Sequence, residues 1–153
     1  MQGREFIRIA GAWCVATGSA EPTWRSSVSR AYYGAMHHCL EFLTSRLQLE
    51  IPANPKKHET VPWALGFSDD LTLKEAGHRL ADLKSWRHQA DYELLNKPAG
   101  EQIRSKWAVE QASEIEGFVN SQRQITELAA IQSRIAKHFG NALAGWRIKR
   151  KLL

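Results

Sequence analysis

Residues 22–42 read PTWRSSVSRAYYGAMHHCLEF, and their apolar side chains recur at three- and four-residue steps. This spacing places the apolar side chains along one face of an α-helix. The face consists of Trp24, Val28, Ala31, Tyr32, Ala35, Cys39 and Phe42. Pro22 suits the first turn of that helix, because the N–H that proline lacks would have no helical partner there. We therefore expect a long amphipathic helix from about Pro22 to about Leu49.

The same periodicity continues on both sides of this helix, whereas the alternation typical of strands is almost absent. A first helix is predicted to end near Gly18, and a short helix is predicted over residues 61–67. A third long helix would begin with a capping box formed by Thr72 and Glu75. The proline-free stretch 101–139 is expected to form two helices that divide near Asn120. The sequence thus predicts an all-α fold, an antiparallel up-and-down bundle of four to five long helices.

The composition is that of one ordinary globular domain. The chain has 153 residues, of which 43% are apolar and 24% are charged, so it can bury a core without disulfide or metal staples. Its net charge of +5 resides mostly in the last eight residues. We divide the chain into a bundle over residues 1–145 and a basic tail over residues 146–153. Such a tail is more often a solvated helix end than a phosphate-binding segment.

The cysteine pattern predicts a reduced, cytoplasmic protein. Cys14 and Cys39 lie in apolar helical stretches, where free thiols behave as small hydrophobes. No Cys-x-x-Cys pair and no spacing of histidines matches a zinc site, so we predict neither a metal nor another cofactor. Glu5 and Arg8 interrupt the apolar stretch at the start of the chain, and we expect no export signal and no membrane span.

Six tryptophans are many for a chain of this size. Several lie on the apolar stripes, and we expect the helices to pack around Trp13, Tyr32, Leu80 and Trp107. The aromatic surface that remains would suit an interface between two copies of the chain. We therefore expect a homodimer.

Arg87 is the most unusual residue of the third long helix. On a helical wheel it lies within about 20° of Leu80 and Leu94, at the centre of the apolar stripe. A guanidinium there needs a partner or an opening to solvent, since an unpaired buried charge costs several kcal/mol. Asp91 lies one turn later on the same face, with Tyr92 beside it. Two interpretations stay open, an ion pair that fixes the helix register and a polar pocket between helices.

A second polar row follows the long helix that begins at Pro22. Arg30, Tyr33, His37 and Glu41 recur at i, i+3, i+7 and i+11, next to the apolar face. If this helix packs antiparallel to the one that carries Arg87, the two rows could line one groove. Otherwise the row is a solvated surface.

Outside these helices, His58 lies in a basic loop and is expected to be solvated, and no GxSxG, HExxH or phosphate-binding Gly loop is present.

The strings SRAYYGAMHHCLEFL (residues 29–43) and LKSWRHQADYELL (residues 83–95) resemble the HEPN domain family. Its small prokaryotic members carry Arg-x-Tyr-Tyr-x-x-x-His on one helix and Arg-x-x-x-Asp-Tyr on a later one. The matching positions here are Arg30, Tyr32, Tyr33 and His37, then Arg87, Asp91 and Tyr92. The resemblance covers about residues 6–118. It implies a helical bundle that forms homodimers, with the arginine helices facing each other across a cleft.

Many members of that family are metal-independent ribonucleases, and many are toxins paired with a small nucleotidyltransferase or another antitoxin. Their active motif is Arg followed after four to six residues by His, but residues 92–94 hold Tyr, Glu and Leu here. The resemblance thus implies an RNA-targeting toxin or defence effector with a degenerate ribonuclease motif. It implies Arg87, Asp91 and Tyr92 as catalytic residues and Arg30, Tyr33 and His37 as RNA- or nucleotide-binding residues.

Two other functions stay open. Without the His, the chain could be a non-catalytic module that binds a nucleotide, an RNA or a partner enzyme, as an accessory subunit of a nucleotidyltransferase or a defence complex. It could also be a dimerisation module without a ligand.

Tyr92 is a poor base at pH 7, because the ordinary pKa of tyrosine is near 10. We therefore expect weak or absent ribonuclease activity, with binding retained through Arg87.

Overall fold

The structure is a computed structural model that describes residues 3–18, 20–51, 57–122 and 128–138. Its helices are α1 (Gly3–Val15), α2 (Glu21–Glu41), α3 (Lys57–Gly66), α4 (Leu71–Tyr92) and α5 (Gln102–Ser121). Residues 128–138 are also helical, and we label them α6. A π-helical turn, Phe42–Arg46, follows α2, and a 3-10 turn, Lys97–Gly100, precedes α5. No strand occurs in the described ranges, and the predicted all-α helical bundle is confirmed.

The central helix of the bundle is α2. It packs against α1, α4 and α5, while α3 packs mainly on α4. The helices α2 and α4 run antiparallel, because Arg25 contacts the backbone of Ala90 whereas Tyr33, later in α2, contacts Arg87, earlier in α4. Their packed faces bury Val28, Ala31, Tyr32, Ala35, Leu73, Ala76, Leu80 and Leu83. The antiparallel arrangement that a shared groove requires is therefore present.

Two glycines let neighbouring helices approach closely. At Gly34 of α2, a Cβ would lie 2.9 Å from the carbonyl oxygen of Gly3 and 2.6 Å from Cγ1 of Ile7, both in α1. At Gly77 of α4, a Cβ would lie 2.8 Å from the carbonyl oxygen of Pro62 in α3. Only a residue without a Cβ fits either position. These contacts seat α1 on α2 and α3 on α4.

The helix α4 differs from the predicted helix at both ends. Its N-cap is Asp70, whose side chain accepts a hydrogen bond from the N–H of Leu73 at 2.8 Å, so the helix begins before the predicted cap at Thr72. Its last residue is Tyr92. Leu94, which we expected on the apolar stripe, lies in the turn that follows and is 71% exposed.

Arg25 of α2 explains where α4 ends. Its side chain is only 8% exposed, and its Nε forms an ion pair with Glu21 at 2.7 Å. The guanidinium also donates to backbone carbonyls in the final turn of α4 and just after it. These carbonyls belong to Gln89, Ala90, Glu93, Leu94 and Asn96, at 2.8–3.3 Å. The last carbonyls of a helix have no partner within the helix. The hydrogen bonds from Arg25 satisfy these carbonyls and stabilise a turn at the position where we expected α4 to continue.

The end of α2 is also less regular than predicted. The α-helix stops at Glu41, and the chain continues as the π-helical turn instead of running on to Leu49. Gln48 then adopts a positive φ of 52°, which ends the helical path. Leu43 and Leu47 are nevertheless fully buried, so this irregular segment still contributes to the core.

Two of the four predicted core residues are fully buried, and two are not. Tyr32 and Leu80 are 1% and 0% exposed. Trp107 is 48% exposed, because α5 turns the adjacent Ala108 into the core and successive side chains of a helix point about 100° apart. Trp13 is half-buried at the edge of the bundle.

Four further sequence predictions concern the cysteines, the membrane, the division near Asn120 and the basic tail. Cys14 and Cys39 are buried free thiols, as expected, and burial raises the pKa of Cys39 to about 12. None of the described helices combines the length and the apolar character needed to cross a membrane. The division near Asn120 is confirmed, since α5 ends at Ser121. The predicted basic tail, residues 146–153, lies outside the described residues.

Candidate functional site

The side chain of Arg87 lies at the centre of a polar cluster between α2 and α4. Its Nε is 2.7 Å from Oδ2 of Asp91, but the N–H does not point at that oxygen, so the contact is an ion pair rather than a hydrogen bond. Its Nη2 donates to the hydroxyl of Tyr92 at 3.2 Å. The guanidinium also lies over the rings of Tyr33 and Tyr92, 5.4 and 5.1 Å from their centres. We call these four residues the Arg87 cluster.

Arg87 is charged and remains accessible to solvent. Burial disfavours its charge, but Tyr33, the Tyr92 hydroxyl and Asp91 outweigh that effect, and the pKa of Arg87 is raised. Its side chain is 22% exposed, so it is not sealed in the core. The geometry contains both features that the sequence left open, an ion pair within α4 and a polar opening between helices.

Asp91 is held from two helices. Its Oδ2 pairs with Arg87, and its Oδ1 accepts a hydrogen bond from the hydroxyl of Ser29 in α2. Because both oxygens have partners, the carboxylate is fixed in place. Asp91 therefore orients Arg87 and does not offer a free carboxylate for proton transfer.

Arg30 lies in an open groove next to this cluster. The groove encloses about 400 Å³ and is lined by Phe6, Trp13, Ser26, Ser29, Arg30, Tyr33 and Asp91. The Arg30 guanidinium lies over Trp13 at 4.8 Å and over Phe6 at 5.7 Å from the ring centres. No carboxylate of the described residues forms an ion pair with Arg30. Aromatic rings, and not an acidic side chain, therefore hold this charge in the groove.

His37 is exposed and lies against Phe6, a residue that lines the groove. Its ring stacks on the ring of Phe6 in α1, with 5.9 Å between the ring centres. Partial burial and the charge of Lys57 lower the pKa of His37, so it is neutral at pH 7. The structure thus brings Arg30 and His37 against Phe6 of α1, whereas the Arg87 cluster joins α2 and α4.

His58 is not the solvated loop residue that we expected. It lies in the first turn of α3 and is half-buried. Its Nδ1 is 2.7 Å from the hydroxyl of Tyr32, and its ring lies 5.8 and 6.0 Å from the rings of Tyr32 and Tyr33. The prediction was wrong because the close contact of α3 with α4 at Gly77 carries this segment into the bundle.

The surroundings of His58 are cationic. Burial contributes most to lowering the pKa of His58, and the positive charges of Lys57, Arg87 and Lys84 lower it further. His58 is therefore neutral at pH 7, since the ordinary value is already near 6.5. A neutral imidazole surrounded by cations lies next to the Arg87 cluster.

The described residues contain no group of three or more His, Cys, Asp or Glu side chains placed to hold a metal ion. No family model, curated protein or solved structure matches this chain. Its function is therefore inferred from the chemistry of the groove and the Arg87 cluster.

Proposed function

We propose that this chain is an RNA-targeting helical module similar to HEPN domains, and that RNA binds in the groove between α1, α2 and α4. The observation that carries the proposal is that Arg30 lies in a groove among aromatic rings, and that Tyr33 and Asp91, which contact Arg87, line the same groove. A guanidinium matches a phosphate in charge and shape. Aromatic rings can stack on unpaired bases. The combination suits single-stranded RNA.

The two arginines would bind phosphate in different ways. Arg30 has no carboxylate partner among the described residues, so a phosphate would be the first anion to neutralise it. Arg87 is already paired with Asp91 through Nε, but its Nη1 has no acceptor among the described residues. A planar guanidinium can bind different anions along different edges. Arg87 can therefore bind a phosphate while the ion pair with Asp91 stays intact.

The two tyrosines of the Arg87 cluster suit the base of a bound nucleotide. Tyr92 is 62% exposed at the end of α4, and Tyr33 lines the groove. Both rings lie within 5.4 Å of the Arg87 guanidinium. A base next to a phosphate on Arg87 can therefore stack on one of these rings, whatever its identity.

Binding of a fluorescently labelled single-stranded RNA to the purified chain tests the proposal. We expect Arg30→Ala and Arg87→Ala each to weaken binding by about ten- to hundredfold, since a hydrogen bond to a charged group contributes about 1.5–3 kcal/mol. The affinity of each variant should also depend less steeply on salt, because fewer counter-ions leave the RNA on binding.

Arg79 provides a matched control for Arg87. It also belongs to α4, forms an ion pair one turn away with Glu75 at 2.7 Å, and lies over the ring of Phe118 at 5.5 Å, but it faces α5. We expect Arg79→Ala to bind RNA as the wild type does. An equal loss in all three variants, or no RNA binding by the wild type, would show that the proposed groove is wrong.

A second variant separates folding from binding. Arg87→Ala leaves Asp91 without its cation, which can unfold the bundle by itself. Arg87→Ala combined with Asp91→Asn removes that orphaned charge, and we expect it to fold and still to lose binding. If the double variant folds and binds RNA like the wild type, the ion pair is only structural and Arg87 is not part of the site.

The resemblance to HEPN proteins also supports a biological setting. It favours the toxin or effector of a toxin–antitoxin or defence system, with an antitoxin or a nucleotidyltransferase as partner. Expression of the chain alone should then arrest bacterial growth, and Arg30→Ala should relieve the arrest. Normal growth during wild-type expression would favour the alternative, an accessory module that binds RNA or a nucleotide without an effector role.

A further inference from the structure

We propose that the groove selects guanine among the bases of a bound RNA, with Arg30 donating to O6 and Asp91 accepting from N1–H and the N2 amino group. This inference rests on the proposed RNA-binding function and names the base that the groove prefers. Both side chains line the groove itself. Contacts to phosphate hold a nucleic acid in place, whereas contacts to base edges read its sequence. The groove would thus make the chain a reader of RNA sequence.

Among the described residues, the charged side chains that line the groove are one arginine and one aspartate. Arg30 belongs to α2 and Asp91 to the last turn of α4, so the two charges reach the groove from two helices. A phosphate inside the groove would be repelled by the carboxylate of Asp91. A neutral base meets no such repulsion. The interior of the groove therefore suits a base, and its rim suits the adjoining phosphates.

The size and the walls of the groove fit a base. The groove encloses about 400 Å³, and its aromatic lining consists of Phe6 and Trp13 from α1 and Tyr33 from α2. Flat rings give a base a surface on which to stack. Stacking accepts every base, however, because each has a flat face. Selection among the bases must therefore come from the polar side chains beside the rings.

Arg30 can donate to an acceptor that lies in the plane of its guanidinium. The guanidinium carbon is 4.8 Å from the ring centre of Trp13 and 5.7 Å from that of Phe6, so its face lies against aromatic rings. A guanidinium that stacks in this way still has N–H groups along its edges. The O6 atom of guanine is an acceptor that arginine commonly contacts. Since arginine has five N–H donors, others can contact a phosphate at the rim.

Asp91 presents acceptors that are held in place and still have capacity. Its Oδ2 pairs with Nε of Arg87 at 2.7 Å, and its Oδ1 accepts a hydrogen bond from the hydroxyl of Ser29. A carboxylate has about four lone-pair sites, so each oxygen can accept one further donor. The Asp91 side chain is 27% exposed and lines the groove. Two fixed carboxylate oxygens match two donors that lie side by side.

Guanine is the base whose Watson–Crick edge fits these two side chains. That edge carries two adjacent donors, N1–H and the N2 amino group, and next to them the acceptor O6. Adenine, cytosine and uracil have no two adjacent donors on this edge. Each of them would also bring an acceptor toward the carboxylate of Asp91, namely N1 of adenine, N3 of cytosine or a carbonyl oxygen of uracil. The carboxylate therefore favours guanine and disfavours the other three bases.

The test compares the affinity of the wild type for five labelled strands in one buffer. Each strand is an oligouridine whose central position holds guanosine, adenosine, cytidine, uridine or inosine. We expect the guanosine strand to bind about ten- to hundredfold more tightly than the adenosine, cytidine and uridine strands. Inosine keeps O6 and N1–H but lacks the N2 amino group. The inosine strand should therefore lose most of the preference.

Two aspartate variants of α4 assign the preference to the groove. Asp91→Asn replaces a carboxylate oxygen by a donor, and we expect it to bind the guanosine strand less tightly, about as it binds the adenosine strand. Asp82→Asn removes the same charge from an exposed position that does not line the groove, and it should keep the wild-type preference. If Asp91→Asn does not fold, the comparison of guanosine with inosine in the wild type still tests the contact with the N2 amino group.

The outcomes distinguish this inference from the proposed function. Equal affinities for the five strands, a preference for another base, or equal binding of inosine and guanosine would overturn the guanine contacts and keep the RNA-binding groove. A guanosine preference that persists in folded Asp91→Asn would overturn the role of Asp91, and with it the inference. Absence of binding to every strand would overturn both the inference and the proposed function.

Discussion

The imidazoles of His58 and His37 are neutral at pH 7, because the fold lowers the pKa of each. In the unfolded chain, both pKa values return to about 6.5. Acidification therefore protonates the unfolded chain before the folded one, and the free energy of unfolding should fall as pH decreases below about 6.5. Above about pH 7, this contribution is constant. Chemical denaturation at a series of pH values measures the effect.

Variants assign this pH dependence to His58. His58→Asn removes one titrating group and should make the fall in stability less steep. His78→Asn, at an exposed position of α4, should keep the wild-type slope. An identical slope in all three proteins would contradict the half-buried, cation-facing position of His58 among Lys57, Lys84 and Arg87.

At the scale of single residues, the helical pattern identified Arg87 as an unusual arginine on an apolar face but did not identify Arg25. The helical wheel singled out Arg87 and its partner Asp91, whose Nε and Oδ2 are 2.7 Å apart. Arg25 meets the same criterion, within about 20° of Tyr32 on the wheel, but was not singled out. Its partners are backbone carbonyls, which no side-chain pattern displays. The position of His58 could not be predicted either, since it depends on how α3 packs against α4.

At the scale of helices, the close contact of α1 with α2 sets the width of the groove. Gly34→Ala would place a Cβ 2.9 Å from the carbonyl oxygen of Gly3 and 2.6 Å from the side chain of Ile7. We expect α1 to shift outward at a cost of about 1–3 kcal/mol for overpacking, reduced by up to about 1 kcal/mol from the better helix propensity of Ala. Thermal unfolding should show the loss, and RNA affinity should fall with it.

Gly117→Ala is the matched control for that substitution. Gly117 lies within α5 and is exposed, and nothing outside its own helix backbone lies within 4 Å of the added Cβ. We expect it to raise stability by about 0.5–1 kcal/mol, through helix propensity alone. Equal effects of the two substitutions would contradict the close contact between α1 and α2.

The sequence was more reliable for the existence of helices than for their ends. Apolar periodicity reflects burial along a whole face, and it predicted all the long helices. Helix ends depend on single contacts instead. Asp70 caps α4 earlier than the predicted Thr72, and Arg25 helps to end it at Tyr92 by binding carbonyls of the turn.

At the scale of the whole molecule, one end of the bundle carries exposed apolar side chains. The end of α1 meets the start of α5 there, since Gln102 donates to the carbonyl oxygen of Cys14 at 2.9 Å. The exposed side chains of the segments near this end are Val15, Leu94, Leu95, Ile103 and Trp107. We expect this surface to be the interface of the predicted homodimer, because apolar surface of this kind marks association sites.

Light scattering at micromolar concentration should give the mass of a dimer. Leu94→Ser combined with Leu95→Ser should shift the protein toward the monomer, since these side chains are 71% and 97% exposed. Leu71→Ser changes an equally exposed leucine at the other end of α4 and should leave the dimer intact. A wild-type monomer, or equal effects of these substitutions, would contradict the interface.

Nuclear magnetic resonance of the arginine Nε–H groups during titration with single-stranded RNA tests most directly where RNA binds. The signal of Arg30 reports on the groove, that of Arg87 reports on the cluster beside it, and that of Arg79 reports on the face of α4 that meets α5. We expect the first two signals to shift and saturate with the RNA, while that of Arg79 stays in place. A shift of Arg79 with Arg30 and Arg87 unchanged would contradict an RNA-binding groove between α1, α2 and α4.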